Sequence, residues 1–165
     1  MIRDAAISDF PAILALNAES EHFLSPLSRA HLEHLHSQAA YHRVVERNSA
    51  VVAFLLAFRE GADYDSPNYL WFNARYENFL YVDRVVVAVA AQGKRLGAAL
   101  YDDLFAFARK EKIPVVTCEF YIQPLNEVSS RFHARFGFRE VGTQWVADGK
   151  KQVSLQEAST RSSGG

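Results

Sequence analysis

The chain has 165 residues, 49% of them hydrophobic and 22% charged, with a formal net charge of −1 and a pI near 6.6. That makeup fits one soluble globular domain without room for a second, and the balanced charge offers no broad basic field for nucleic acid. A single cysteine, Cys118, excludes an internal disulfide and a multi-cysteine zinc site. The opening MIRDAAISDF carries no apolar signal region and no run is long enough to span a bilayer, so a cytoplasmic, reducing location is expected.

Ile2 to Ala6 reads as a short strand, and Ser8-Asp9 offers capping chemistry for a helix with Pro11 in its first turn. Ile13, Leu14 and Leu16 give that helix an apolar face. After the interruption from Asn17 to Pro26, Ser28 starts a second helix carrying Leu32 and Leu35. His31, His34 and His36 lie on it, but no cysteine or carboxylate set completes a tetrahedral site, so no metal is expected. Tyr41 to Arg47 and Ala50 to Arg59, joined by Asn48-Ser49, predict an antiparallel hairpin. Glu60 to Asn78 is a long connection rich in Tyr64, Tyr69, Trp71, Phe72 and Tyr76, with a helical turn or two expected between Asn68 and Glu77. Connections of this length usually have a function. Two readings stand: a cover over an amine-binding site, or a cap on the sheet edge or homodimer contact.

Phe79 to Val89 is almost continuously apolar and β-branched, the pattern of a strand covered on both faces. A polar turn, Gln92-Gly93-Lys94-Arg95-Leu96-Gly97, leads into a helix with Leu96, Ala99, Leu100, Leu104, Phe107 and Ala108 at helical spacing. Strand, tight turn and helix converge free N–H groups and the positive end of a helix dipole, a ready site for a phosphate or diphosphate. Neither G-x-x-x-x-G-K-[ST] nor G-x-G-x-x-G is present, so a different phosphate-bearing ligand is required. Val115 to Ile122 is the next strand, parallel to the first across the helical crossover. Asn126 to Phe136 forms a helix stopped by Gly137, and a hairpin over Asp148-Gly149 joins Arg139–Ala147 to Lys150–Gln156. One domain over 1–157 with a flexible tail at 158–165 is expected.

Gln92-Gly93-Lys94-Arg95-Leu96-Gly97-Ala98 resembles the [QR]-x-x-G-x-[GA] signature of the GNAT superfamily of acyl-CoA-dependent N-acyltransferases. Asn126-Glu127-Val128-Ser129-Ser130-Arg131-Phe132-His133-Ala134-Arg135-Phe136-Gly137-Phe138 is similar to its later N-x-x-[AS]-x-x-[LF]-Y-x-x-x-G-F stretch, with His133 at the usual Tyr. The whole chain looks like a bacterial branch of predicted acetyltransferases. The resemblance implies an α+β GNAT fold: a mixed, mostly antiparallel sheet of six to seven strands with a central splayed parallel pair, flanked by about four helices. It implies acetyl-CoA or coenzyme A as cofactor. The diphosphate would lie on Gln92, Gly93, Lys94, Arg95, Leu96, Gly97 and Ala98, and the pantetheine along Val85, Val86 and Val87. Asn126 and Ser129 would assist, with His133 as proton donor to the departing thiolate. Arg95 replaces a signature glycine: at φ > 0 or under close backbone approach its side chain would cost binding, whereas with helical φ/ψ, the favoured reading, it fits and adds a cation near the phosphates. The loop after the first helix would form one acceptor wall, with Glu21, His22 and Phe23 as contacts; a solvated loop is the plain alternative.

Transfer to an amine requires a base that removes an ammonium proton near neutral pH. Glu119 and Asp83 are carboxylates in apolar runs, where a raised pKa or a salt partner is expected. Strand alternation puts Arg84 on the face opposite Asp83, leaving Arg131 or Arg135 as partners if these acids are structural. Tyr81 and Tyr121 are further relay and substrate contacts. The expected function is direct N-acetylation of a primary amine on a small molecule or peptide. A degenerate acyl-CoA-binding regulatory module is the competing reading, which Arg95 and the missing Tyr make thinkable.

Overall fold

A computed structural model describes residues 1–21 and 24–161. Seven strands form one sheet: β1 (Ile2–Asp4), β2 (Tyr41–Arg47), β3 (Ala50–Arg59), β4 (Leu80–Val87), β5 (Val115–Gln123), β6 (Arg139–Val146) and β7 (Lys151–Ser159). Their spatial order is β1-β2-β3-β4-β5-β7-β6, and every neighbouring pair is antiparallel except β4 and β5. Among the described residues five α-helices complete the fold: α1 (Phe10–Glu19), α2 (Arg29–Gln38), α3 (Pro67–Asn73), α4 (Leu96–Lys110) and α5 (Glu127–Arg135). This is the expected α+β architecture, a mixed, mostly antiparallel sheet with a parallel pair and about four flanking helices.

Local chemistry fixes most boundaries. Ser28 accepts the His31 N–H at 3.1 Å and starts α2. Asn48 and Ser49 both take positive φ, as a two-residue hairpin turn between β2 and β3 requires. The short helix α3 lies in the aromatic connection, with Ser66 at its N-cap and Pro67 at its first position, where a missing N–H costs nothing. At the C-terminus the last strand extends past its expected end at Gln156. Strand β7 runs on to Ser159 because its partner β5 begins at Val115, and Thr160 Oγ1 then donates to Ile113 O at 2.7 Å.

Both faces of the sheet are covered. On one, α4 buries Leu100, Leu104 and Ala108 against Leu55, Leu80, Val82 and Val116. On the other, Phe10, Ile13 and Leu16 of α1 and Leu32 of α2 pack on Val44, Phe54 and Val86, while Tyr69 and Phe72 of α3 pack on Phe58, Phe79 and Leu155. Burial at about 1.5–3 kcal/mol per large apolar side chain explains why β4 needs no polar face.

The parallel pair positions everything that follows. β4 and β5 pair only at Leu80↔Val116 and Tyr81↔Thr117. Beyond those two positions β4 continues to Val87 and β5 to Gln123 with no further pairing, so the strands diverge into a cleft.

Candidate active site

On the β4 side the cleft presents backbone. Ala88 N donates to Val52 O at 2.8 Å, towards β3, and peptide groups alternate direction along a strand. Val86 therefore spends its backbone on β3, and Val85 and Val87 turn their N–H and C=O groups to the open edge. Of the three valines expected to meet a pantetheine, Val85 and Val87 have their backbone groups on the open edge, while the Val86 side chain joins the α1 core.

Past β4 a single 3₁₀ turn (Val89–Ala91) leads to exposed Gln92, Gly93, Lys94 and Arg95. The first bond of α4 runs from Ala99 N to Arg95 O at 3.0 Å, so the N–H groups of Leu96, Gly97 and Ala98 precede the helical ladder and point from its positive end. Gly93 has φ +85°, a conformation only glycine takes freely. One expectation is corrected here: Arg95 is not helical. It is the N-cap residue of α4 at φ 58°, ψ 29°, the left-handed region, because the chain must reverse sharply between the 3₁₀ turn and α4. Arg95 is exposed at the turn, and its cation still suits an anion there. Free amides, an open strand edge and two adjacent cations together fit a diphosphate with an extended amide-bearing arm.

The other face of the cleft is lined with acids. Glu119 of β5 is partly buried and accepts a 2.7 Å hydrogen bond from Tyr81 Oη, with Asn68 of α3 as a second donor. Burial pushes its carboxyl up to about 8, outweighing these two bonds; the nearby Asp83 adds to the rise. Asn68 is itself held by Gln144 Nε2 at 3.1 Å. Glu119 forms no ion pair among the described residues.

Asp83 is placed differently. The β3–β4 register shifts between Leu56↔Arg84 and Ala57↔Val82, so Asp83 is the extra residue of a β-bulge. The bulge breaks the alternation expected of neighbouring side chains, and Arg84 Nε reaches Asp83 Oδ2 at 2.6 Å with both side chains almost wholly buried. Asp83 also accepts from Tyr64 Oη. Its partner is thus Arg84. Arg131 pairs with Glu127, and Arg135 lies over the Phe132 ring.

His133 is buried against Tyr101, Phe120, Phe132 and Phe138. Its Nδ1 is 2.7 Å from Ser129 O, which can only accept, so Nδ1 carries the proton and Nε2 accepts from Tyr101 Oη at 2.7 Å. Burial lowers its pKa. In this tautomer the Nδ1 proton is held by Ser129 O and Nε2 carries none. Asn126 caps α5, its Oδ1 accepting the Ser129 N–H at 3.1 Å. Tyr81 is fully buried and meets Glu119, while Tyr121 is partly buried with Lys151 Nζ 4.9 Å from its ring. Glu21 is exposed; His22 and Phe23 lie outside the described residues. Among the described residues no cluster of three potential metal ligands occurs, and no helix is long and apolar enough to cross a membrane.

The structure adds Asn68, Tyr64, Arg84, Asn17 and Ser25 to the neighbourhood of the acids. Their traces in the sequence were an arginine inside an apolar strand, Tyr64 and Asn68 in the aromatic connection, and the polar interruption from Asn17 to Pro26. The aromatics themselves mostly cap the sheet: Tyr69 and Phe72 are fully buried, and Tyr76 Oη donates to Glu157 of β7 at 2.8 Å.

Comparison with known proteins agrees with this geometry. Ard1 from Thermoplasma volcanium superposes with a TM-score of 0.79 at 15% identity, over 96% of each chain. The ribosomal-protein-alanine N-acetyltransferase of Brucella melitensis gives 0.74 at 22% identity, over 96% of this chain and 99% of that one. yncA of Salmonella typhimurium, solved with its cofactor acetyl-CoA, gives 0.71 at 21% identity, over 100% of this chain and 96% of that one. A 59-residue stretch is 46% identical to phosphinothricin N-acetyltransferase of Streptomyces coelicolor, spanning 36% of this chain but only 33% of that relative's length. The family model described as the acetyltransferase (GNAT) family matches residues 2–138. With the splayed pair, the amide-bearing turn and that match over most of its length, the chain belongs to the acetyltransferase (GNAT) family.

Proposed function

We propose that the protein is an N-acetyltransferase that moves the acetyl group of acetyl-CoA directly to a primary amine of a small molecule or peptide. The observation that carries this reading is the juxtaposition, across one cleft, of an open β4 edge running into free helix amides and a carboxyl with its pKa pushed up to about 8. In this reading Gly93 to Ala98 hold the diphosphate, with Lys94 and Arg95 as cations, and the Val85 and Val87 backbone groups pair with the pantetheine arm. Acetyl-CoA supplies an acetyl carbon activated as a thioester.

The residues of the chain supply position and proton transfer. A group titrating near 8 matches an ammonium better than an ordinary carboxylate does, so Glu119 is the base that takes the proton from the attacking amine. Tyr81 and Asn68 hold that carboxylate in place. A Val87 or Val85 N–H on the free edge stabilises the developing oxyanion, a contribution of roughly 3 kcal/mol for one preorganised donor. As the amine nitrogen bonds to the acetyl carbon, Glu119 takes its proton. The C–S bond breaks to release the CoA thiolate, and the proton held on Glu119 passes through water to that thiolate, which leaves as the free thiol. His133 serves as internal support between α5 and α4, joined by its bond to Tyr101.

Calorimetric titration with acetyl-CoA, together with a panel of primary amines followed by thiol release, tests this. Micromolar or tighter acetyl-CoA binding with thiol release that depends on an added amine is expected. Binding without amine-dependent release from any member would overturn it in favour of a non-catalytic acyl-CoA-binding module.

A further inference from the structure

The Asp83–Arg84 pair is expensive to bury and is not spent on the chemistry just described. Its two side chains are 5% and 3% exposed, and ion pairs at such depth are weak as stabilisers because desolvation offsets most of their attraction. What distinguishes this pair is what it holds. Arg84 Nη1 donates to Asn17 Oδ1 at 2.9 Å and to Ser25 O at 3.4 Å, and Nη2 donates to Ser25 Oγ at 3.2 Å. Asn17 Nδ2 closes the ring by donating to Ser25 O at 3.2 Å. Asn17 is the buried last turn of α1 and Ser25 lies in the connection to α2, so this ring fixes where that connection crosses the sheet. From the other side, Tyr64 of the β3–β4 connection donates to Asp83. Tyr64 also packs on Phe58 and Tyr69, which ties it to α3, the helix that carries Asn68 to Glu119.

We infer that the Asp83–Arg84 pair is a positioning device that latches two separate chain segments, the α1–α2 connection at Ser25 and the β3–β4 connection at Tyr64, to the donor-binding strand. Both segments meet at the Asp83–Arg84 pair, on the strand that also carries Tyr81 to Glu119, so on the N-acetyltransferase reading, on which this inference rests, they are walls of the acceptor site. The bulge at Asp83 makes the device feasible: one extra residue lets adjacent side chains of β4 meet on the acceptor face, immediately before the Val85–Val87 edge. Asp83 and Arg84 are positioning residues here. They set the spacing of the walls relative to the donor, and hence which amines fit.

Three variants test it: Arg84→Lys, Tyr64→Phe and Ser25→Ala. Lysine retains a cation beside Asp83 but cannot fork to Asn17 and Ser25. Hydrogen exchange is expected to accelerate at least tenfold in Arg84→Lys both at residues 24–28 and at residues 62–66, with α4 unchanged. Steady-state kinetics with spermidine, phenethylamine and a free-amine hexapeptide should show KM for the amine raised about tenfold, with kcat and KM for acetyl-CoA within twofold. If Arg84→Lys fails to fold, the two single-hydroxyl variants and their double decide: a shared latch makes their effects on exchange non-additive. Unchanged exchange, a response confined to one segment, or additive hydroxyl effects would overturn the latch. Should the wild type turn over none of the three amines, the acetyltransferase reading is what fails, and exchange still decides the latch.

Discussion

Replacing Glu119 by glutamine makes two opposite predictions from one pKa. Glutamine keeps the acceptor oxygen for Tyr81 and the volume of the side chain, but it cannot take a proton. With the carboxyl pushed up to about 8, roughly a tenth of Glu119 is ionised at pH 7. Under single-turnover conditions the wild-type rate should rise about tenfold per pH unit below pH 7 and level off above pH 8. Glu119→Gln should abolish that slope and lower the plateau about 10²- to 10⁴-fold, the usual worth of a general base. Stability moves the other way. The folded protein keeps the Glu119 proton up to about pH 8, whereas the unfolded chain loses it near the ordinary value of 4.5. The stabilising contribution is therefore fully present below pH 4.5 and is lost as pH rises towards 8, by at most about 1.4 kcal/mol per unit. The glutamine variant lacks this loss, so denaturant unfolding at pH 8.5 should show it more stable than wild type, with the two converging near pH 5. A wild-type rate flat between pH 6 and 8, or a variant that retains the slope, would refute the assignment of Glu119 as the base.

Other substitutions probe the remaining parts of the site. Arg95→Gly relieves a left-handed residue, worth about 1 kcal/mol, so thermal unfolding should move up by a few degrees. Calorimetry should show acetyl-CoA affinity falling several-fold at low salt, with a smaller loss at high salt as screening weakens the lost cation. His133→Phe strips the buried Tyr101 hydroxyl of its acceptor, and chemical denaturation should record a loss of about 1–3 kcal/mol. Turnover per folded molecule should stay within about threefold, and a hundredfold drop at unchanged acetyl-CoA affinity would instead make His133 the proton donor. Gly142→Ala places a Cβ 2.7 Å from Trp71 Cζ2, on a ring already covered by the Arg75 guanidinium at 4.1 Å. Displacing that stack should cost about 1–3 kcal/mol in a thermal melt.

The sequence by itself determined the order and kind of nearly every element, since each follows from local signals: nearly continuous apolar runs for β3 and β4, apolar spacing for α4, and turn residues at Asn48-Ser49 and Asp148-Gly149. The amide-bearing turn was legible for the same reason, because a strand, a glycine and a helix start within a few residues of one another. Tertiary structure alone decided how the acids divide their work. Asp83 and Glu119 look alike in sequence, each a carboxylate in an apolar strand, yet a one-residue bulge gives Asp83 a guanidinium and leaves Glu119 with only neutral donors. Bulge placement depends on how β4 registers against β3, a pairing across more than twenty residues of chain that no local pattern encodes. The left-handed Arg95 belongs to the same class, because its φ is imposed by where α4 must pack on the sheet and not by its own preference.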